Sequence, residues 1–232
     1  MHYIRRGSER GHANHGWLDS HHTFSFAGYY DPEFMGYRSL RVINEDRVAA
    51  GAGFPKHPHR DMEIISYVLD GALEHKDTIG TSSVIRPGEV QLMSAGRGIT
   101  HSEYNHSPED GVHFFQIWIV PDRRGEEPGY QQRAYSDEER KGRWRLLVSP
   151  SGDDASLTIK QDARLYGTVL GDGETVSFPI EEGRGVWLQV ARGSVKFGNE
   201  VLSGGDGLAL EQVPSLEVTA AEPAELLLFD LA

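Results

Sequence analysis

Gly51-Ala52-Gly53-Phe54-Pro55-Lys56-His57-Pro58-His59-Arg60-Asp61-Met62-Glu63 is the stretch from which the rest of the chain is read. On an extended backbone, residues i and i+2 point to the same side. His57 and His59 therefore aim two imidazoles at one point. Pro58 supports this by fixing its own φ and by driving His57 toward an extended conformation. Some forty residues on, Gly96-Arg97-Gly98-Ile99-Thr100-His101-Ser102-Glu103-Tyr104-Asn105 repeats the arrangement, with His101 and Glu103 again at i and i+2. Two such pairs on neighbouring strands place three ring nitrogens and one carboxylate around a metal ion. That donor set suits Fe, Mn, Co, Ni or Zn, chosen by geometry rather than raw affinity. Four ligands on an octahedral ion leave two adjacent positions open for substrate, dioxygen or both.

Outward from these two stretches the chain reads as short strands punctuated by Gly, Pro, Asp and Asn. In the first half these are residues 37–44, 63–69, 72–76, 90–93 and 112–120. Residues 121–143 are polar, with little apolar periodicity, and read as a connection holding a short helix at 136–141. Strands resume at 144–148, 157–161, 175–180, 186–191, 207–211 and 225–231. No long amphipathic helical pattern occurs, and the 27 glycines and 11 prolines favour turns over helices. The expectation is an all-β chain of about eight to ten strands per half. The halves echo each other weakly: Gly71-Ala72-Leu73-Glu74 before Pro87-Gly88-Glu89 resembles Gly193-Ser194-Val195-Lys196 before Gly204-Gly205-Asp206.

All 11 histidines lie between His2 and His113, and the chain has no cysteine. The second half can supply neither nitrogen nor sulfur from a side chain of the usual metal-ligating kind, so metal chemistry belongs to the first half. A net charge of −12 argues against a nucleic-acid surface, since phosphates would be repelled. No window approaches the roughly 18 apolar residues of a membrane span. The N-terminus lacks the apolar stretch of a secretory signal, and the simplest reading is a cytoplasmic protein.

The 51–63 and 88–105 segments resemble the two sequence motifs of the cupin superfamily. More narrowly, the chain resembles the pirin family. The motifs that carry this are His15-Gly16-Trp17-Leu18-Asp19-Ser20, His22-Thr23-Phe24-Ser25-Phe26, residues 54–63 and His101-Ser102-Glu103-Tyr104-Asn105. The likeness is specific up to about Pro121, and beyond it rests on length and strand pattern. It implies a bicupin, two jelly-roll-like barrels in tandem, with a metal-binding barrel over 1–135 and a barrel without ligands over 136–232. It also implies one divalent metal held by His57, His59, His101 and Glu103. Iron(II) is the first choice, with Mn, Co, Ni, Cu or Zn as alternatives. Several pirins cleave flavonols with dioxygen, so the resemblance implies quercetin 2,3-dioxygenase activity, with Glu103 as the general base for the flavonol 3-hydroxyl. Others look like partner-binding proteins whose iron oxidation state alters a surface, which makes a redox-sensing regulator the second reading. A monomer is expected.

Other residues carry separate expectations. General cupins place a ligand glutamate three or four residues after the second histidine. Glu63, which shares strand parity with His57 and His59 if no bulge intervenes, is therefore a reserve ligand or a partner for an imidazole N–H, the alternative being a partly buried glutamate paired with Arg or Lys. His12, His15, His21 and His22 read as structural or rim residues among aromatic neighbours. His75 and His106 read as exposed hairpin or loop residues. His113 is placed on the barrel interior, with Gln116 and Trp118 on the opposite parity; Gln116 reads as a satisfied core residue or as an orienting group. Phe54 and Met93 are pocket candidates, Met93 leaning to plain core. Arg97 reads as solvated between two turn glycines with φ > 0. A sugar isomerase would need a basic cluster, and only Lys56, Arg60 and Arg97 are near the ligands in sequence.

Overall fold

The computed structural model describes residues His2–Ala232. Strand accounts for 59% of the chain and helix for 4%, which makes the molecule all-β as expected. The strands run β1 (His2–Arg5), β2 (Gly11–Asn14), β3 (Leu18–His22), β4 (Leu40–Val48), β5 (Gly53–His59), β6 (Glu63–Asp70), β7 (Leu73–Asp77), β8 (Ser82–Ile85), β9 (Glu89–Ser94), β10 (Ile99–Asn105), β11 (Val112–Ile119) and β12 (Gly129–Ala134). Helix α1 (Asp137–Arg140) precedes β13 (Arg145–Ser149), β14 (Leu157–Thr158), β15 (Ala163–Leu170), β16 (Thr175–Pro179), β17 (Gly185–Phe197), β18 (Glu200–Ser203), β19 (Gly207–Glu211) and β20 (Ser215–Leu231). No helix among these residues is long and apolar enough to cross a membrane.

The chain divides into two compact jelly-roll-like units. One holds Gly11–Ala134 with Ile159–Gln161; the other holds the residues through Arg10, Tyr135–Thr158 and Asp162–Ala232. The placement of residues 2–10 in this second unit differs from the sequence reading, which gave them to the first barrel. β1 pairs antiparallel with β19, His2 against Leu210 through Arg5 against Gly207. A partner some two hundred residues away leaves no mark in a four-residue strand.

The first unit is built from a seven-stranded sheet, in the order β12-β9-β6-β11-β4-β3-β2, and a four-stranded sheet, β5-β10-β7-β8. β6 and β11 lie inside the larger sheet and are almost wholly buried, which is why Glu63–Asp70 and Val112–Ile119 read as near-continuous apolar runs. Their alternate side chains sort into levels along the interior. Val68 and Phe114 join Leu18, Leu73 and Ile85 in one apolar cluster. Ile64 joins Met93, Ala95 and Ile99 in another, with Trp118 packed against it. Truncating Leu73, Ile85, Ile64 or Met93, all fully buried, to alanine costs about 2–5 kcal/mol. Between the two clusters runs a polar rung. Register pairs Gln91 with Ser66, Ser66 with Gln116, Gln116 with Asn44, and Asn44 with His22. All five residues are buried.

Four strands of this unit, β2, β3, β8 and β12, escape the sequence reading. β12 lies in the stretch read as a connection; its half-buried residues carry no clear alternation, yet they pair with β9. β2 and β3 form a hairpin inside the histidine-rich tract. The short helix is where it was expected: Ser136 caps α1 and exchanges bonds with Glu139 in a capping box.

The second unit is one nine-stranded sheet assembly ordered β1-β19-β17-β20-β15-β13-β14, with β16 on β20 and β18 on β17. Its interior is aliphatic, with Leu188, Val190, Leu226 and Leu228 fully buried.

Candidate metal centre

β5 and β10 are antiparallel neighbours, and their register puts His57 directly opposite His101. Gly53 makes this closeness possible, since a Cβ there would collide with the Glu103 carbonyl and Tyr104. A β-bulge between His101 and Glu103 shifts the pairing, so that Glu103 stands opposite Phe54. His57, His59 and His101 each offer a ring nitrogen, and these three atoms lie within 4.8 Å of one another. Glu103 adds a fully buried carboxylate, its Oε2 4.0 Å from His101 Nε2.

Hydrogen bonds set the tautomers of two of these rings. His57 Nδ1 lies 2.8 Å from the Pro55 carbonyl oxygen. A carbonyl only accepts, so Nδ1 carries the proton and Nε2 keeps its lone pair. A longer chain does the same for His101. Asp77 Oδ2 sits 2.9 Å from His75 Nε2, and His75 Nδ1 sits 3.4 Å from His101 Nδ1. With the carboxylate accepting from Nε2–H, the His75 tautomer that carries one proton accepts at Nδ1; His101 then donates from Nδ1–H and its Nε2 is free. Burial opposes the charge of Asp77, but bonds from His75 and Thr81 still hold its pKa below the ordinary value.

The two free lone pairs face each other: His101 Nε2 is 3.0 Å from His57 Nε2. Two acceptors at that range repel unless a cation lies between them. About 3 Å is also the spacing of two imidazole nitrogens bound at right angles to one ion with bonds of about 2.1 Å. Burial, reinforced by the neighbouring histidines, lowers the pKa of His101 to about 3 and that of His59 to about 4. Both rings are therefore neutral at physiological pH, with lone pairs available to an ion. The donor set fits a divalent metal ion.

The polar rung supports the carboxylate. Gln116 Nε2 donates to Glu103 Oε2 at 2.7 Å, and Ser66 Oγ donates to Oε1 at 3.2 Å. Gln116 is thus a buried, satisfied glutamine of the interior whose amide also orients the Glu103 carboxylate. Ser66 was not anticipated, although a lone serine in the apolar run Glu63–Asp70 was its visible signal. Beside the histidines opens a cavity of about 730 Å³, lined in part by Phe54, Trp118, Asn44 and Asp46. The Trp118 ring meets His59 edge-on at 5.0 Å.

Several expectations are corrected. His75 is fully buried rather than exposed, its ring tilted by 36° against that of Tyr130 at 4.8 Å, and it backs His101. Glu63 is neither ligand nor imidazole partner. It accepts from Ser94 Oγ at 2.8 Å and from the Lys160 backbone N–H at 3.3 Å, and burial raises its pKa. Its parity with His57 and His59 is broken because β5 ends at His59 and Asp61 turns the chain with φ of 50°. His113 lies 2.9 Å from Glu45 and outside the cavity, while Phe114, Gln116 and Trp118 take the inward parity. Met93 is core, Phe54 lines the cavity, and exposed His106 contacts Glu74. Arg97 is paired with Glu127 rather than merely solvated, between glycines that do adopt positive φ. His12, His15 and His22 line the cavity as rim residues, and His12 stacks on His21 at 4.5 Å.

Comparison with known proteins agrees with this geometry along the whole chain. The family description Pirin matches residues 4–119, and the description quercetinase C-terminal cupin domain matches residues 146–231. The chain is 48% identical over 231 residues to a protein of Escherichia coli strain K12 named quercetin 2,3-dioxygenase, covering 100% of this chain and 99% of that one. It is 44% identical over 223 residues to a pirin-like protein of Caulobacter vibrioides, covering 96% of each. The crystal structure of the bacterial pirin YhhW of E. coli in complex with nickel(II) superposes with a TM-score of 0.94 at 48% identity, covering 100% of this chain and 99% of that one.

Proposed function

The chain belongs to the pirin family, and from that premise we propose that it is a metal-dependent dioxygenase that cleaves flavonols such as quercetin, releasing carbon monoxide. The observation that carries this reading is the pair of facing His57 and His101 nitrogens, 3.0 Å apart, beside a cavity of about 730 Å³. Such a volume lies within the range of sites that enclose a drug-sized ligand. The relatives' printed names supply the substrate class, and nickel(II) in YhhW supports a divalent ion here.

In this reading His57, His59, His101 and Glu103 hold the metal, iron(II) being the first choice. When bound, the ion supplies Lewis acidity toward the flavonol oxygens and an electron path toward dioxygen. Glu103 accepts the proton of the 3-hydroxyl as general base. Gln116 and Ser66 keep its oxygens aimed while that proton arrives. Phe54 and Trp118 give the flat ring system apolar surface and keep water from it. Dioxygen adds to the substrate, the heterocyclic ring opens, and the carbon bearing the 3-oxygen leaves as carbon monoxide.

The test is anaerobic purification with metal analysis, then oxygen uptake and carbon monoxide release over a flavonol panel. One metal per chain with flavonol-dependent uptake is expected. Stoichiometric iron with no uptake on any flavonol would favour the redox-regulator reading instead.

A further inference from the structure

Asp46 is a carboxyl group in the cavity wall that the proposed chemistry does not use. It lies on β4, two residues beyond Asn44, the residue opposite Gln116 in the polar rung. One pleat repeat separates those positions, so Asp46 stands about 7 Å along the strand from the level of the Gln116–Glu103 contact. It is 3% exposed and lines the cavity. Its hydrogen-bond partner is Ser20, directly opposite on β3, whose Oγ donates to Oδ1 at 2.5 Å. No Lys, Arg or His pairs with it among the described residues, and the charges that reach it, from Glu103, Glu45 and Asp19, are all acidic. A carboxyl group with one donor still has hydrogen-bonding capacity on its second oxygen. Because Asp46 lines the cavity, a ligand hydroxyl bound there is a group that can use that capacity.

We propose that Asp46, oriented by Ser20, is a second anchor for the substrate, binding a ring hydroxyl remote from the metal-binding oxygens. The inference rests on the reading of the cavity as a flavonol site, and it deepens that reading: the preferred substrates are polyhydroxylated rather than merely 3-hydroxylated. Burial against acidic neighbours, which pushes the Asp46 carboxyl up to about 7, is consistent with a group lacking a cationic partner in the chain. Asp46 is then a positioning residue for specificity, separate from the proton transfer assigned to Glu103.

The experiment compares quercetin with 3-hydroxyflavone, which has no remote hydroxyl, in equilibrium binding to metal-loaded protein and in turnover. Wild type is expected to prefer quercetin by about 10- to 100-fold in Kd, the range of a hydrogen bond to a charged or strongly polar group. Asp46→Leu should bring that ratio close to one. Ser20→Ala, which leaves the carboxyl in place but unoriented, should lower it several-fold and covers the case in which the leucine variant does not fold. A ratio of one in wild type, or a full ratio in both variants, overturns the anchor. Binding with the expected ratios but no turnover sinks the dioxygenase reading and leaves the anchor standing. Wild type that binds neither compound sinks both.

Discussion

Nδ1 of His75 lies 3.4 Å from Nδ1 of His101, and Asp77 holds the far side of the His75 ring at 2.9 Å. This three-residue chain runs from β7 into β10 and fixes which nitrogen of His101 can bind metal. It is the carboxylate–histidine support commonly found behind metal ligands, lengthened by one ring.

The chain of rings leads to the first prediction. His75→Phe preserves bulk and a ring beside Tyr130 but removes the acceptor for His101 Nδ1–H. Metal affinity, measured by competition with a chromophoric chelator, should fall about 10- to 100-fold. Asp77→Asn should weaken it in the same direction. Unchanged affinity in both variants would mean that the His101 tautomer is set elsewhere.

Glu103→Gln keeps the size of the side chain and a neutral oxygen donor, but it cannot accept a proton at neutral pH. Most of the metal should be retained while turnover falls by about 10²–10⁴-fold, the usual worth of a positioned base. Wild-type rates at equal metal occupancy would remove Glu103 from proton transfer.

Gln116 supplies the shorter of the two hydrogen bonds on Glu103, at 2.7 Å. Gln116→Leu leaves that carboxylate oxygen without its donor. A drop in kcat of about 10- to 100-fold is expected, with metal content nearly intact and the fold unchanged by circular dichroism. Loss of metal with no change in kcat per bound ion would instead make Gln116 a support of coordination alone.

How much of this was legible beforehand depends on parity. The pairs His57/His59 and His101/Glu103 could be found because both segments are extended and side chains alternate. The same rule misled at Glu63, since a left-handed residue at Asp61 resets the parity before β6 begins. His75 was legible in principle: Leu73, His75 and Asp77 share one face of β7, while Glu74 and Lys76 share the other. The charged neighbours made the strand look like a solvated hairpin, yet they mark only its outer side. Asn44, Ser66 and Gln116 each interrupt an otherwise apolar strand, and their common level appears only once the strands are paired in register. β1 could not be assigned to its unit at all, because its pairing with β19 is purely long-range.

Asp46 makes a prediction about pH. Its folded pKa is raised to about 7 from an ordinary 3.8. Between those values the folded chain keeps a proton that the unfolded chain has released. Stability is therefore lost as pH rises through that window and levels off above it. Asp46→Asn removes the titration. In denaturant unfolding of the metal-free proteins, the variant should gain on wild type by about 2–3 kcal/mol between pH 5 and pH 8. A constant difference over that range would show that Asp46 titrates normally in the folded protein.

Anomalous scattering from crystals of metal-loaded protein, collected at the absorption edge of the bound metal, tests the central claim most directly. One peak is predicted, about 2.0–2.2 Å from Nε2 of His57 and of His101, a ring nitrogen of His59 and one Glu103 oxygen. A stoichiometrically loaded crystal with no density among those four side chains, or with a peak only at the rim beside His12 and His21, would contradict it.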